Sequence, residues 1–299
     1  MKKIGIIDVG SNSHRLLAVA VDGGNITELA RGKITTRMLS GLRDGAFTQE
    51  CIVKNIQAIA TLKARAQQVG CTEFIAFATS AMRDASNRQQ VIDLAADIGV
   101  EVRVLSGDEE AEMAYAGVNR PGRVGIVDIG GGSTEILAGA DGHVLGGGSA
   151  QMGAVRLTAR CPEGTPREVL IAEAKRVLQP VYELASGVPV DVWVGVGGTA
   201  TTLAAMDMRM TEYDAGRIQD HAITCDFVSG LLDRLLAMSL EERRHIPGLQ
   251  PERADIICAG AAIMVAFFEL TGATHVLASD SDNLLGFLRR CAGRLPVGG

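Results

Sequence analysis

Two stretches of this chain carry the same order of chemical groups. Ile4-Gly5-Ile6-Ile7-Asp8-Val9-Gly10-Ser11-Asn12-Ser13 returns 120 residues later as Val124-Gly125-Ile126-Val127-Asp128-Ile129-Gly130-Gly131-Gly132-Ser133. Each is an apolar run that ends in an aspartate and then turns through glycine and hydroxyl residues. Backbone N–H groups unshielded by a bulky Cβ can wrap a phosphate oxygen. Gly10, Ser11, Asn12 and Ser13, with the nearby cation Arg15, are therefore candidate phosphate ligands, and so are Gly130, Gly131, Gly132 and Ser133. One Gly-Ser-Asn turn alone reads equally well as an ordinary hairpin turn. The repeated flanking strand argues against coincidence. Two such loops, one per half, predict two domains that close across a cleft on a phosphorylated substrate.

The second loop is bracketed by Asp128 and Glu135. Carboxylates beside a phosphate repel it unless a divalent cation lies between them. Mg²⁺, which prefers hard oxygen ligands and substrate phosphates, is the expected ion, with Mn²⁺ as the alternative. Asp8 of the first copy completes the candidate metal ligands. A surface hairpin with two solvated carboxylates is the plainer reading of the same residues. A third glycine turn, Gly195-Val196-Gly197-Gly198-Thr199-Ala200, follows an apolar strand and opens a helix. It matches G-x-G-x-x-A, so a dinucleotide fold is a rival. No strand leads to Asp214, the acidic residue at the distance that fold requires. Gly197, Gly198 and Thr199 are therefore taken as a helix N-terminus that receives an anion.

Between the loops, Arg83 in Thr79-Ser80-Ala81-Met82-Arg83 either braces a phosphate or is a solvated loop arginine. In Ser106-Gly107-Asp108-Glu109-Glu110, Ser106 and Glu109 form a capping box, and Asp108 suits the first helical turn. Glu110 has no such structural use and is a candidate to take a proton from water. The chain contains no G-x-x-x-x-G-K-[ST] and no G-x-S-x-G, which excludes a P-loop enzyme and a serine hydrolase of the elbow type.

These residues need a scaffold that ends several strands near the chemistry. Apolar strands over 3–8, 16–21, 26–34, 74–79 and 100–105 alternate with helical spacing over 49–69, 87–98 and 107–117. Asn119-Arg120-Pro121-Gly122 breaks the pattern, which restarts with a strand over 123–128 and a hairpin over 135–144. Helices are expected over 166–185, from Gly198 to about 208, over 226–238 and over 252–270, with strands at 190–196 and 274–278. This alternation predicts an α/β fold with a mixed, largely buried sheet in each half. The domains expected are 1–119 and 120–280. The period is domain-sized, so it reads as a duplication and not a solenoid.

The bulk numbers agree with a two-domain globular chain: 299 residues, 47% hydrophobic and 4% aromatic. A net charge of −6 gives no non-specific grip on nucleic acid or membrane. The longest apolar run, residues 256–268, is too short to span a bilayer. Asp8 interrupts the first apolar run, so no export signal is expected. The six cysteines include no C-x-x-C pair and the five histidines are scattered, which predicts reduced thiols in the cytoplasm and no zinc site.

Six ordered motifs, Asp8 to Leu16, Ala78 to Arg83, Ser106 to Ala111, Asp128 to Glu135, Met152 to Leu157 and Gly197 to Thr199, resemble the exopolyphosphatase / guanosine pentaphosphate phosphohydrolase (Ppx/GppA) family of the actin-like superfamily. Leu240 to Ala261, with Pro247-Gly248-Leu249 and Glu252-Arg253-Ala254-Asp255, resembles it too. The resemblance implies two ribonuclease-H-like domains with the active site between them, and a last helix, from 281 to 299, that packs back on the first domain. It implies that Glu110 activates water, that Asp128 and Glu135 are the acidic pair linked to Mg²⁺, and that Arg83 contacts phosphate. The implied activity is removal of the terminal phosphate of inorganic polyphosphate. Hydrolysis of guanosine pentaphosphate (pppGpp), a nucleotide-dependent kinase or ATPase of the same superfamily, and a sensor without turnover are the alternatives. Longer members carry an HD-type C-terminal region that this chain does not reach, so short chains are the expected substrate. A homodimer is common in the family. The closing segment Ser279 to Leu284 lacks the glycine usual there.

Overall fold

The computed structural model describes residues 2–22, 25–281 and 283–291. They form two units. One holds the described residues through Glu110 together with those from Asn283, and the other begins at Ala111 and holds the residues between.

In the first unit, β1 (Lys2–Val9), β2 (Ser13–Asp22) and β3 (Asn25–Thr35) form an antiparallel meander. The turn expected between β2 and β3 contains Gly23 and Gly24, which lie outside the described residues. A small hairpin, β4 (Leu42–Arg43) and β5 (Ala46–Phe47), precedes helix α1 (Gln49–Gln68). Then come β6 (Glu73–Ala78), α2 (Ser80–Asp84), α3 (Arg88–Asp97), β7 (Glu101–Val104) and α4 (Gly107–Val118). Strands β6 and β7 run parallel to β1, and the sheet order is β3-β2-β1-β6-β7. Strand β1 is central, which is why Ile4, Ile6 and Ile7 are apolar and buried. Helix α1 starts where the Thr48 side chain accepts from the Cys51 N–H. It buries Ile52, Ile59, Leu62 and Ala66 on the sheet, so closely that a Cβ on Gly5 would lie 3.0 Å from that of Ala66.

In the second unit, β8 (Arg123–Ile129), β9 (Thr134–Ala140) and β10 (His143–Ala150) repeat the meander. Helices α5 (Ala154–Arg160) and α6 (Arg167–Ala185) lead to β11 (Val192–Val196), α7 (Gly197–Asp207) and α8 (Ala215–Ile218). The unit closes with β12 (Ala222–Thr224), α9 (Cys225–Ala237), α10 (Leu240–Arg243), α11 (Ile257–Thr271) and β13 (His275–Ala278). The sheet order is β10-β9-β8-β11-β13-β12, with β11 and β13 parallel to β8 as β6 and β7 are to β1. The topology of the first sheet thus recurs, with one added edge strand. Helix α11 is buried along nearly its whole length, which explains its apolar composition, and it stops at Gly272 in the left-handed conformation. Its predicted first turn is absent because Pro251 opens a separate 3₁₀ turn over 251–253. No helix among the described residues is long and apolar enough to cross a membrane.

The units divide between Glu110 and Ala111, inside α4, and not at 119/120. The reason is packing. Ala111 and Tyr115 of the helix's second half pack with Val124, Ile126, Leu137 and Val194 of the second sheet. Helix α12 (Asn283–Cys291) belongs to the first unit, where Phe287 stacks on Phe77 with ring centroids 5.1 Å apart. Asp282 and residues 292–299, parts of the expected closing segment and last helix, lie outside the described residues.

Candidate functional site

The two glycine loops are built alike. In the first unit the segment after β3 donates to the loop's carbonyls: Leu39 N–H to Ser11 O at 2.9 Å, and Thr36 and Arg37 N–H to Asn12 O at 3.1 and 2.8 Å. In the second unit the segment after β10 does the same. Ala154 N–H reaches Gly130 O at 2.9 Å, and Val155 and Arg156 N–H reach Gly131 O at 3.0 and 3.2 Å. The Arg156 side chain adds a bond from Nε to Gly132 O at 2.8 Å. With the carbonyls tied behind the loop, the N–H groups are left for something else. Those of Ser11, Asn12, Gly131, Gly132 and Ser133 find no intramolecular acceptor among the described residues. A cluster of uncommitted N–H groups in a turn is an anion nest.

The loop side chains mostly brace. Ser11 Oγ accepts from Ala81 N–H at 3.1 Å, which ties the first loop to α2. Ser13 Oγ lies 3.2 Å from Thr35 Oγ1, and Asn12 Nδ2 lies 3.4 Å from Ser13 Oγ. A Cβ on Gly10 would sit 2.6 Å from Ser13 O, so the turn needs glycine there. Gly153 was not singled out in the sequence, yet a Cβ on it would meet Gly131 C at 2.5 Å. Its position at the start of α5 lets the helix reach the loop carbonyls, which is the structural use of the Met152 to Leu157 motif.

The equivalence of the loops ends at the residue facing each aspartate. Asp8 pairs in register with Arg15, whereas Asp128 pairs with Glu135. Arg15 and Glu135 are themselves 120 residues apart. Asp8 is buried and accepts from Arg15 Nε at 3.0 Å and Nη2 at 2.6 Å. Asp8, expected among the metal ligands, is thus paired with a cation through Oδ2, its Oδ1 making no hydrogen bond among the described residues, and Arg15, expected at phosphate, spends two nitrogens on that one oxygen. Asp128 and Glu135 are both buried, and Ser149 Oγ donates to Glu135 Oε1 at 2.5 Å. Like charges directly opposed on neighbouring strands destabilise a sheet. Two buried carboxylates with hard oxygen donors fit a divalent cation of the Mg²⁺ type that completes its shell with water and phosphate. Within the second unit's described residues no third His, Cys, Asp or Glu joins them.

The third loop lies against this pair. Val196 is in register with Asp128, and the next residue, Gly197, has φ +78°. A Cβ on Gly197 would fall 2.2 Å from Asp128 Oδ1. Thr199, expected at phosphate, instead donates its hydroxyl to Ile129 O at 3.0 Å and fixes α7 on β8. Gly198 is covered by a residue the sequence reading left without a role: its Cβ would lie 1.9 Å from Arg253 Nη2. A guanidinium over the first turn of α7 adds positive charge where the helix dipole is already positive.

In the first unit, Arg83 and Glu110 meet. Arg83 Nη1 donates to Glu110 Oε2 at 2.6 Å and to Leu105 O at 3.1 Å. Glu110 is 6% exposed. Arg83 Nη2 is buried and has no hydrogen-bond partner among the described residues. A buried guanidinium nitrogen without an acceptor is costly unless a ligand supplies one. The capping box forms as expected, with Glu109 N–H to Ser106 Oγ at 3.1 Å and Ser106 N–H to Glu109 Oε2 at 2.9 Å. That bond to the Ser106 N–H, with Arg103 close by, draws the Glu109 carboxyl below its usual range.

Behind the first loop, His14 is wholly buried, facing Asn55 and the Gly10 backbone. Burial holds it neutral, with its pKa lowered to about 4.

The Ppx/GppA phosphatase family matches residues 17–281 of this chain. Exopolyphosphatase 2 of Mycobacterium tuberculosis is 32% identical over 98% of this chain and 99% of that protein. Exopolyphosphatase 1 of Mycobacterium leprae is 32% identical over 88% of this chain and 82% of its own length. Among solved structures, the Aquifex aeolicus PPX-GPPA enzyme superposes with a TM-score of 0.80 at 26% identity, covering 97% of this chain and 99% of that one. An exopolyphosphatase from Cytophaga hutchinsonii shares the fold with a TM-score of 0.89, over 100% of both chains, at 24% identity.

Proposed function

Because the chain belongs to the Ppx/GppA phosphatase family, whose actin-like fold its two mixed sheets share, we propose that it hydrolyses the terminal phosphate of inorganic polyphosphate. The observation that carries this reading is the Arg83–Glu110 pair. One arm of the guanidinium holds the carboxylate, and the other is buried and open to an acceptor. A terminal phosphoryl oxygen on Arg83 Nη2 would bring the phosphorus close to Glu110. Glu110 then accepts a proton from water as the water oxygen bonds to phosphorus and the anhydride P–O bond breaks. The products are orthophosphate and a chain one phosphate shorter.

Catalysis of this kind is mostly positioning and charge neutralisation. The open N–H groups of the Ser11-Asn12 and Gly131 to Ser133 turns hold phosphoryl oxygens, and Arg253 with the first turn of α7 holds a further phosphate. Asp128 and Glu135 would hold Mg²⁺, or Mn²⁺, which when bound supplies neutralising charge to the substrate. The five cysteines described are free thiols, which supports work in the cytoplasm.

The test is phosphate release with Mg²⁺ from tripolyphosphate, long polyphosphate, guanosine pentaphosphate and ATP, with Glu110→Gln beside the wild type. The expected result is fastest release from a polyphosphate and a fall in kcat of about 10²–10⁴ for Glu110→Gln. Release only from guanosine pentaphosphate, or a fully active Glu110→Gln, would overturn it.

A further inference from the structure

Pro247-Gly248-Leu249 belongs to no part of the chemistry above. Gly248 has φ +86°, and a Cβ on it would fall 2.2 Å from Ala205 O. The motif is therefore pressed onto the last turn of α7, and its Pro247 lines a cavity of about 670 Å³. Phe227 and Leu231 of helix α9, Met238 at its end and Met206 of α7 line it too. Helix α7 has 11 residues, so this cavity lies about 16 Å along the helix from the glycine turn that opens it.

Both carboxylates at the rim have partners. Asp207 bonds His221 at 2.8 Å, and Glu242 accepts from Ser239 N–H at 2.8 Å in a capping box. Arg209 and Arg234 are exposed at the rim, and neither side chain has a hydrogen-bond or ion-pair partner among the described residues. An apolar floor with a few convergent polar groups is the usual form of a small-molecule site. A second cavity of the same unit, about 590 Å³, makes the contrast. Its arginines are in ion pairs: Arg167 with Asp233 at 2.9 Å and Arg243 with Glu163 at 2.7 Å.

We propose that the cavity between α7, α9 and Pro247 is a binding site for a small organic anion with an apolar or aromatic body. The body would rest on Met206, Leu231 and Met238, and the anionic group would pair with Arg209 and Arg234. This site is separate from the phosphate loops.

The experiment uses the full chain and two fluorescent probes with related ring systems. One is 8-anilinonaphthalene-1-sulfonate, which carries an anion, and the other is N-phenyl-1-naphthylamine, which does not. The expected result is one saturable site for the sulfonate. Its Kd rises at least about tenfold in the Arg209→Ala/Arg234→Ala double variant, while the Kd of the neutral probe moves less than about twofold. Met238→Trp, which fills the cavity, removes both probes. Thermal melts check that each variant is folded, and the two arginines are exposed, so their removal leaves the core intact. Unsaturable or absent sulfonate binding to the wild type, or binding that ignores the two arginines, overturns the proposal.

Discussion

Gly197→Ala tests whether the third loop serves the acidic pair. The substitution carries two costs. The first is conformational: φ is +78°, where a residue with a Cβ loses about 1–2 kcal/mol. The second is steric. The new Cβ would lie 2.2 Å from Asp128 Oδ1, and relief to an ordinary contact requires a shift of about 1.2 Å by the carboxylate or the loop. A displacement of about 1 Å at a positioned catalytic group lowers rate by about 10²-fold. Gly142→Ala separates the two costs. Its φ is +85°, and nothing lies within 4 Å of its would-be Cβ. Both variants should melt about 2–8 °C below the wild type. Only Gly197→Ala should lose about 10²-fold in kcat/KM for tripolyphosphate. If the two variants keep similar activity, the contact with Asp128 does not matter to the chemistry and the assignment of the acidic pair is wrong.

Arg83→Lys keeps the charge but cannot hold Glu110 and a phosphate on two arms of one planar group, so kcat/KM should fall about 10–100-fold; activity within twofold of wild type would refute the bridging role. Gly153→Ala would press a Cβ into Gly131 C at 2.5 Å, and steady-state kinetics should show a raised KM with the fold retained by circular dichroism. The buried His14 gives a pH dependence of known sign. Its folded pKa is about 4 against an ordinary 6.5, so the unfolded chain takes up a proton that the folded chain refuses between those values. Stability is therefore undiminished above pH 6.5 and falls as pH drops toward 4, by about 2 kcal/mol at pH 5. Urea unfolding at pH 7 and pH 5 should show this loss in the wild type and not in His14→Gln; an equal loss in both would refute it.

Much of the scaffold was legible because its signals are local. The middle of strand β1, Ile4 to Ile7, is apolar because the strand is central, and α1 repeats its apolar residues at helical spacing. Glu110 stood out by elimination, since Ser106 and Glu109 already accounted for the cap. What could not be read was tertiary. Helices α2 and α5 are only 5 and 7 residues long, too short to impose a period on the sequence. The pairing of Arg83 with Glu110 spans 27 residues and depends on where β6 ends and α4 begins. Gly153 and Arg253 matter for what lies against them, and nothing in their own neighbourhoods says so. The break at 119–122 was real, with Asn119 at φ 47° and Gly122 at φ 83°, but a turn is not a domain boundary when the helix before it already packs on the next sheet.

The duplicated frame also explains how one fold can offer two different kinds of charge. Strand register forces the residue after each loop to face the aspartate before it. With arginine at that position, the first copy is an internally neutral pair whose geometry is held by a two-armed ion pair. With glutamate there, the second copy is a pair of buried carboxylates. The backbone around them is the same in both: carbonyls tied by the segment after the third strand, N–H groups left open. The two copies therefore share their loop backbone and differ in charge at a single facing position, 15 in one copy and 135 in the other.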